Sequence, residues 1–255
     1  MMAERILLKL GGSVITDKAG NGNVKKDVLS YIADIIAGYT RMHQIVIVHG
    51  AGGYGHPEAH QYGIQEGVSV TNRAGIYHTH HAVASLNEMV VSSLREKGIE
   101  AVGIHPLHGC LADNQRLISY PTEQIDQMVR MGIIPVLHGD VVMDITRGAC
   151  IISGDQLVQV YARELKIDRV GLATDVPGLL GQDGSVMRKV SVKQITTIDI
   201  GTSKATDVTG GMRGKIDELA ALASAGIASE IFHISKISEF LSGSDHEGTC
   251  ISREL

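Results

Sequence analysis

Short runs of β-branched and aliphatic residues alternate along this chain with longer stretches of helical periodicity, and that alternation leaves few ways to fold it. The spacing predicts strands over residues 5–10, 44–48, 101–104, 133–137, 169–174 and 229–234, and helices over 25–37, 71–96, 121–130, 154–165 and 212–225. Strands separated by crossover helices pair in parallel, and a mostly parallel sheet needs helices on both faces. The expected fold class is α/β, an open αβα sandwich around a mostly parallel central sheet. Ligands of such sheets bind beyond the carboxyl ends of the strands, so the loops that follow the strands carry the chemistry.

A chain of 255 residues, 44% of them hydrophobic, can bury a large core. We expect one domain, 1–255, built as two lobes that divide near residue 150. No repeat, low-complexity segment or Pro/Ser-rich linker marks a boundary. Residues 113–119 and 144–148 read as hairpin turns between the main elements, and 178–185 as a third polar loop. The formal charge of -5 offers no field for nucleic acid. No segment reaches the roughly 18 uninterrupted apolar residues of a membrane span, and Lys9 breaks the first apolar run before it reaches the length of a signal sequence. These readings point to a cytoplasmic protein with neither membrane nor nucleic-acid partner. Cys110, Cys150 and Cys250 are odd in number, far apart and outside any CxxC spacing, which predicts buried thiols and not a disulfide framework or a zinc site.

Four polar or glycine-rich stretches fall at predicted strand ends or helix starts: "KLGGS" (9–13), "HGAGGYGH" (49–56), "SGDQ" (153–156) and "TDVTGGMRGK" (206–215). Glycine lets the backbone approach an anion closely, and successive amides at a helix start make a concave site of positive potential. Neither GxxxxGK[ST] nor a GxGxxG fingerprint after a strand is present, which disfavours P-loop ATPases and Rossmann dehydrogenases. Three lysines accompany the glycines. Lys9 sits inside an apolar strand, Lys18 follows the first loop, and Lys215 ends "GGMRGK". A lysine buried in a strand needs a counter-charge, so lysines converging on glycine loops suggest phosphates. Asp155 is the candidate carboxylate for holding two of these ammonium groups, with helix capping as its alternative role.

These residues resemble the amino acid kinase superfamily and, within it, the archaeal-type isopentenyl phosphate kinases. The resemblance runs through "ILLKLGGSVITDK" (6–18), "VHGAGGYGHP" (48–57), "GDVV" (139–142), "ISGDQL" (152–157) and "DVTGGMRGK" (207–215), and the histidine closing the second segment is the subfamily's mark. It implies that Lys9, Leu10, Gly11, Gly12, Ser13 and Gly52 contact ATP phosphates and that Lys18 stabilises the transferring phosphoryl group. Gly211 and Lys215 would hold the nucleotide, with Thr174 and Asp175 on its adenosine side. Ala51, Gly55, His56 and Gly154 would bind the acceptor phosphate. Lys9, Lys18, His56, Asp155 and Lys215 form the implied catalytic set, with ATP and Mg²⁺ as co-substrate and ion, and a homodimer as the implied assembly. Where relatives often carry serine and phenylalanine before the second-loop histidine, this chain has Gly53 and Tyr54, and Pro177-Gly178 follows its "TDV".

The implied acceptor, isopentenyl phosphate, is a phosphate monoester with a second pKa near 6, so at neutral pH it is already the anionic nucleophile. Such a reaction needs charge neutralisation and positioning in place of a general base. An imidazole at position 56 can reach a phosphate oxygen that glycines cannot. Ile76, Thr79 and Val83 fall on one helix face and could line the acceptor's apolar tail, although core packing explains the same stripe. His49 reads as a structural strand-end residue, and His78, His80 and His81 as mostly solvated. The alternatives are a superfamily kinase for carboxylate, carbamate or phosphonate acceptors, and a non-catalytic nucleotide-binding module. A carboxylate kinase would be expected to place an arginine near the second loop, and the nearest one after it is Arg73.

Overall fold

A computed structural model of the chain describes residues 3–17, 23–181, 183–195 and 211–254, with only the backbone described at 211–215. The elements begin β1 (Arg5–Leu10), α1 (Gly12–Ile15), α2 (Lys26–Ala37), β2 (Gln44–His49), α3 (His56–Gln61), α4 (Ala74–Arg95), β3 (Ala101–Ile104) and α5 (Pro106–Gly109). They continue β4 (Leu111–Asp113), β5 (Arg116–Ser119), α6 (Thr122–Arg130), β6 (Ile134–His138), β7 (Asp140–Asp144), β8 (Gly148–Ile152) and α7 (Gly154–Glu164). The last third holds β9 (Arg169–Thr174), β10 (Lys189–Ser191), α8 (Val192–Ile195), α9 (Gly211–Ser224), β11 (Ser229–His233), α10 (Ile237–Ser242) and β12 (Thr249–Ser252). Every expected strand and helix is present, with ends within three residues of the predicted limits.

Eight strands form one sheet in the order β10-β12-β11-β9-β1-β2-β6-β3. Neighbours in it are parallel except β11 with β12. The side-chain alternation of β1 feeds two cores. Ile6, Leu8 and Leu10 pack with Leu29, Ile32 and Ile36 of α2 on one face, while Leu7 packs with Val46, Val48 and the α7 residues Leu157, Val158 and Tyr161 on the other. Lys9 shares the face of Leu7, because successive residues of a strand point to opposite sides. Its side chain is thereby directed to the face that α7 covers. Along α4, Val83, Leu86, Val90 and Leu94 recur at helical spacing and are all buried.

The two expected hairpin turns are more than excursions. β5, β4, β7 and β8 join into a second, four-stranded sheet. Within 113–119 only Asn114 and Gln115 turn, both at positive φ, while Asp113 ends β4 and the remaining four residues are β5. Asp144 brackets both turns. Its carboxylate accepts from Asn114 N (3.1 Å) and Gln115 N (2.7 Å) in one, and from Thr146 N (3.0 Å) and Arg147 N (2.8 Å) in the other. Strands of three to five residues lie below what hydrophobic alternation can reveal, and the same holds for the edge strands β10 and β12. Cys110 and Cys150 are buried, and burial pushes their thiols up to about 11 and about 12; Cys250 is half-buried. Among the described residues no helix is long and apolar enough to cross a membrane.

Candidate active site

β1 lies between β2 and β9 and runs parallel to both, so their carboxyl ends open into one crevice. At the end of β1 the chain turns directly into α1, and Gly11 donates its N–H to Ala173 O of β9 at 2.9 Å. Gly50, just past β2, donates to Leu10 O at 3.0 Å. The first and second glycine loops therefore leave the sheet side by side, and they touch backbone on backbone. A methyl group on Gly12 would lie 2.6 Å from Gly52 Cα, and one on Gly50 2.9 Å from Gly12 N. Thr16 fastens the contact, its Oγ1 donating to Gly12 O and accepting from Gly53 N, each at 2.9 Å.

A third loop closes the crevice. Gly139, after β6, donates to His49 O at 3.1 Å, and a Cβ on it would lie 3.2 Å from Gly154 N. A Cβ on Gly154 would in turn meet His49 O at 3.3 Å and Lys9 Cε at 3.5 Å. The start of α7 is thus pressed against the lysine of β1. Lys9 Nζ reaches Asp155 Oδ1 at 2.5 Å, with side chains only 7% and 15% exposed. Of the two roles open to Asp155, capping belongs to its neighbour: Ser153 Oγ accepts from Gln156 N at 3.1 Å. Asp155 is left to the ammonium group.

His56 is the first residue of α3, directly after Gly55, whose φ of +78° lets the loop turn back. Gly55 rests on α4, where its flank faces Val83 and lies 3.6 Å from Thr79 O, measured from the Cβ position. Thr79 Oγ1 is buried there with no hydrogen-bond partner among the described residues. Ile76 turns away and packs with Ala59, Ile64, Val141 and Ala149. The expected stripe therefore divides, with two residues under the second loop and one in a small core. The unusual Gly53-Tyr54 pair also has local partners, Gly53 on Thr16 and Tyr54 on the α2-side core. Thr174 ends β9 beside Gly11, and its hydroxyl donates to Val176 O at 2.7 Å. Pro177 is exposed, while Gly178 is buried against Thr249 and Val186. Lys18 lies outside the described residues, and of Gly211 and Lys215 only the backbone, at the start of α9, is described.

Two parts of the site escaped sequence reasoning. Thr16 reads as an ordinary loop threonine, with no local signal of its cross-loop role. His80 was expected in solvent with His78 and His81, yet only those two are exposed. His80 Nδ1 donates to Asp140 Oδ2 at 2.9 Å, and the carboxyl has no exposed surface. The bond to Asp140 raises the His80 pKa, while burial lowers that of His49, at the end of β2, to about 4. His49 is structural and neutral, as its strand-end position predicts.

The amino acid kinase family model matches residues 4–233. An isopentenyl phosphate kinase of Haloferax volcanii is 37% identical over 249 residues, which cover 98% of this chain and 99% of the relative. One of Methanothermobacter thermautotrophicus is 37% identical over 267 residues, covering 97% and 98%. A solved isopentenyl phosphate kinase structure matches with a TM-score of 0.85 at 32% identity, over 98% of this chain and 100% of that one. Because the family match extends from β1 to β11 and takes in all three loops of the crevice, the chain belongs to the amino acid kinase family.

Proposed function

We propose that this chain transfers the γ-phosphoryl group of ATP to isopentenyl phosphate, giving isopentenyl diphosphate and ADP. The observation that carries the reading is the near full-length similarity to isopentenyl phosphate kinases, on a frame that sets His56 at the rim of the Gly52–Gly55 turn. In the reaction a phosphate oxygen of the acceptor forms a bond to Pγ as the bond from Pγ to the β,γ-bridging oxygen breaks. Two polyanions have to be brought into line, so the protein's task is positioning and charge neutralisation.

The roles divide across the crevice. Lys9 and the amides of Gly12, Ser13 and Gly52 face the ATP phosphates, Gly11 shapes the loop with its own N–H committed to Ala173 O, and Lys18 stabilises the moving phosphoryl group. Asp155 keeps the Lys9 ammonium aimed into the crevice before nucleotide arrives. Gly211 and Lys215 hold the nucleotide, with Thr174 and Asp175 on its adenosine side. Ala51, Gly55, His56 and Gly154 take the acceptor phosphate, with Thr79 and Val83 behind them. Asp155, the carboxylate beside the loops, is the residue that would help to hold Mg²⁺ brought in with ATP, and the ion would supply charge neutralisation there. The acceptor side corresponds to residues up to about 150, the nucleotide side to the rest, and the working unit is a cytoplasmic homodimer.

The test is ATP consumption across isopentenyl phosphate, dimethylallyl phosphate, fosfomycin, acetylglutamate and UMP. Turnover with isopentenyl phosphate is expected, and turnover with only a carboxylate acceptor would overturn the reading. Arg73, the residue a carboxylate clamp would require, is exposed at the head of α4.

A further inference from the structure

A network of five histidines and one carboxylate lies beside the acceptor loops, and none of its members has a role in the reaction as described so far. Asp140 opens β7 immediately after Gly139. Its side chain is fully buried and is held by His80 Nδ1 at 2.9 Å, by Leu107 N at 3.2 Å and by Val141 N at 2.8 Å. Around His80 stand the rings of His108 at 4.9 Å, His105 at 5.5 Å and His138 at 6.5 Å. Glu88, on α4 itself, acts electrostatically on His105.

Hydrogen-bond directions fix which of these rings carries charge. His138 Nδ1 donates to Gly139 O at 3.0 Å, and burial lowers the pKa of the ring well below its ordinary value, so its Nε2 carries no proton and accepts from His105 Nδ1 at 2.9 Å. His49 Nδ1 likewise donates to Gly50 O at 3.0 Å, and its Nε2 accepts from Asn87 Nδ2 at 3.1 Å. Asn87 is oriented by its second donor bond, to Val136 O at 3.0 Å. A ring whose second nitrogen accepts is neutral, so His49 and His138 are both locked in that form. Burial lowers the pKa of His105 too. His80 is left as the cation for the buried carboxylate.

The pair joins two structures that flank the acceptor phosphate. α4 carries His80 and, through Thr79 and Val83, supports Gly55; β7 carries Asp140 next to Gly139, which backs Gly154. We propose that His80 is a positioning residue for the acceptor: through Asp140 it clamps the support of the second glycine loop to the support of Gly154, and so sets the width of the acceptor-phosphate site. The inference rests on the acceptor reading given above. It places the larger effect on the acceptor, because Gly55 and Gly154, the residues that the two supports back directly, are both assigned to the acceptor phosphate.

The bond to Asp140 raises the His80 pKa above its ordinary value. Burial raises the pKa of Asp140 as well, so the charged pair exists only where Asp140 is ionised and His80 is protonated, and it is lost as pH rises through the raised His80 pKa. The acceptor titrates near pH 6 as well, so the experiment compares proteins that share that effect. KM for isopentenyl phosphate and for ATP is measured from pH 6 to 9 for wild type, His80→Ala and His80→Asn. Asparagine places an N–H donor close to the Nδ1 position but does not titrate.

His80→Ala should raise the acceptor KM roughly tenfold and leave the ATP KM within about twofold, while His80→Asn should recover most of that loss. The ratio of acceptor KM, wild type over His80→Asn, should climb roughly three- to tenfold with pH as the charge-assisted bond becomes a neutral one. Equal rises in both KM values, or a ratio that stays flat with pH, would overturn the inference while leaving the acceptor reading intact. Should His80→Ala fail to fold, the pH ratio for His80→Asn decides the matter. No turnover of isopentenyl phosphate by the wild type at any pH would overturn the acceptor reading, and this inference with it.

Discussion

Gly12→Ala isolates the contact between the first two glycine loops. Gly12 does not have positive φ and it opens α1, so the local backbone accepts alanine and only the neighbouring loop opposes the methyl group. That methyl would sit 2.6 Å from Gly52 Cα, where ordinary contact begins near 3.4 Å. Both partners are backbone and cannot rotate away, so the loops must part by about 1 Å. A misplacement of that size between reacting groups costs about 100-fold in rate. Overpacking of this kind also costs about 1–3 kcal/mol of stability, or about 2–12 °C in Tm for a protein of this size. The assay is steady-state kinetics for ATP and isopentenyl phosphate beside a thermal melt. Gly132→Ala is the control, because Gly132 has φ +74° with open space around it. It should lose about 1–2 kcal/mol to backbone strain and keep its kcat. A Gly12→Ala kcat within threefold of wild type, or an equal loss in Gly132→Ala, would refute the argument that the inter-loop contact organises the site.

Three further outcomes follow from the same geometry. His56→Ala should lower kcat/KM for the acceptor about 10- to 150-fold through loss of a charge-assisted hydrogen bond, with ATP affinity nearly intact and His56→Gln in between; equal losses toward both substrates together with a lowered Tm would make His56 a structural turn residue. Asp155→Asn removes the charge facing Lys9 and should cost about 1.5–3 kcal/mol in urea unfolding along with kcat, whereas unchanged unfolding would mean the ion pair contributes nothing. Asp144 has a lowered pKa: burial opposes ionisation, but the backbone N–H groups of Gln115, Arg147 and Asn114 outweigh it. Its stabilising contribution is present above the ordinary carboxylate range and is lost as pH falls toward the lowered pKa, so Asp144→Asn should be less stable at pH 7 and should flatten the acid limb of the stability curve.

The sequence made the Lys9–Asp155 pair legible because Lys9 is out of place locally. A lysine in an apolar strand needs a partner, and β-strand alternation sends this one to the face where α7 begins. Ser153 was overlooked as the cap because Asp155 could serve either role, and only the geometry assigns them. The His80–Asp140 pair left no local trace, since its members lie 60 positions apart and meet only when α4 packs against β7. The second sheet was hidden for a different reason. Its strands are three to five residues long, too short for a period of two to stand out, and turns mark where they reverse without showing that the two hairpins pair with each other.

The claim that this chain is a kinase for a phosphate monoester is tested most directly by ³¹P NMR of a mixture of the purified protein, ATP, Mg²⁺ and isopentenyl phosphate. The account predicts that the monoester resonance decays as the two coupled doublets of a terminal diphosphate appear, with ADP formed in equal amount. ADP and inorganic phosphate accumulating while the monoester resonance stays unchanged would contradict it.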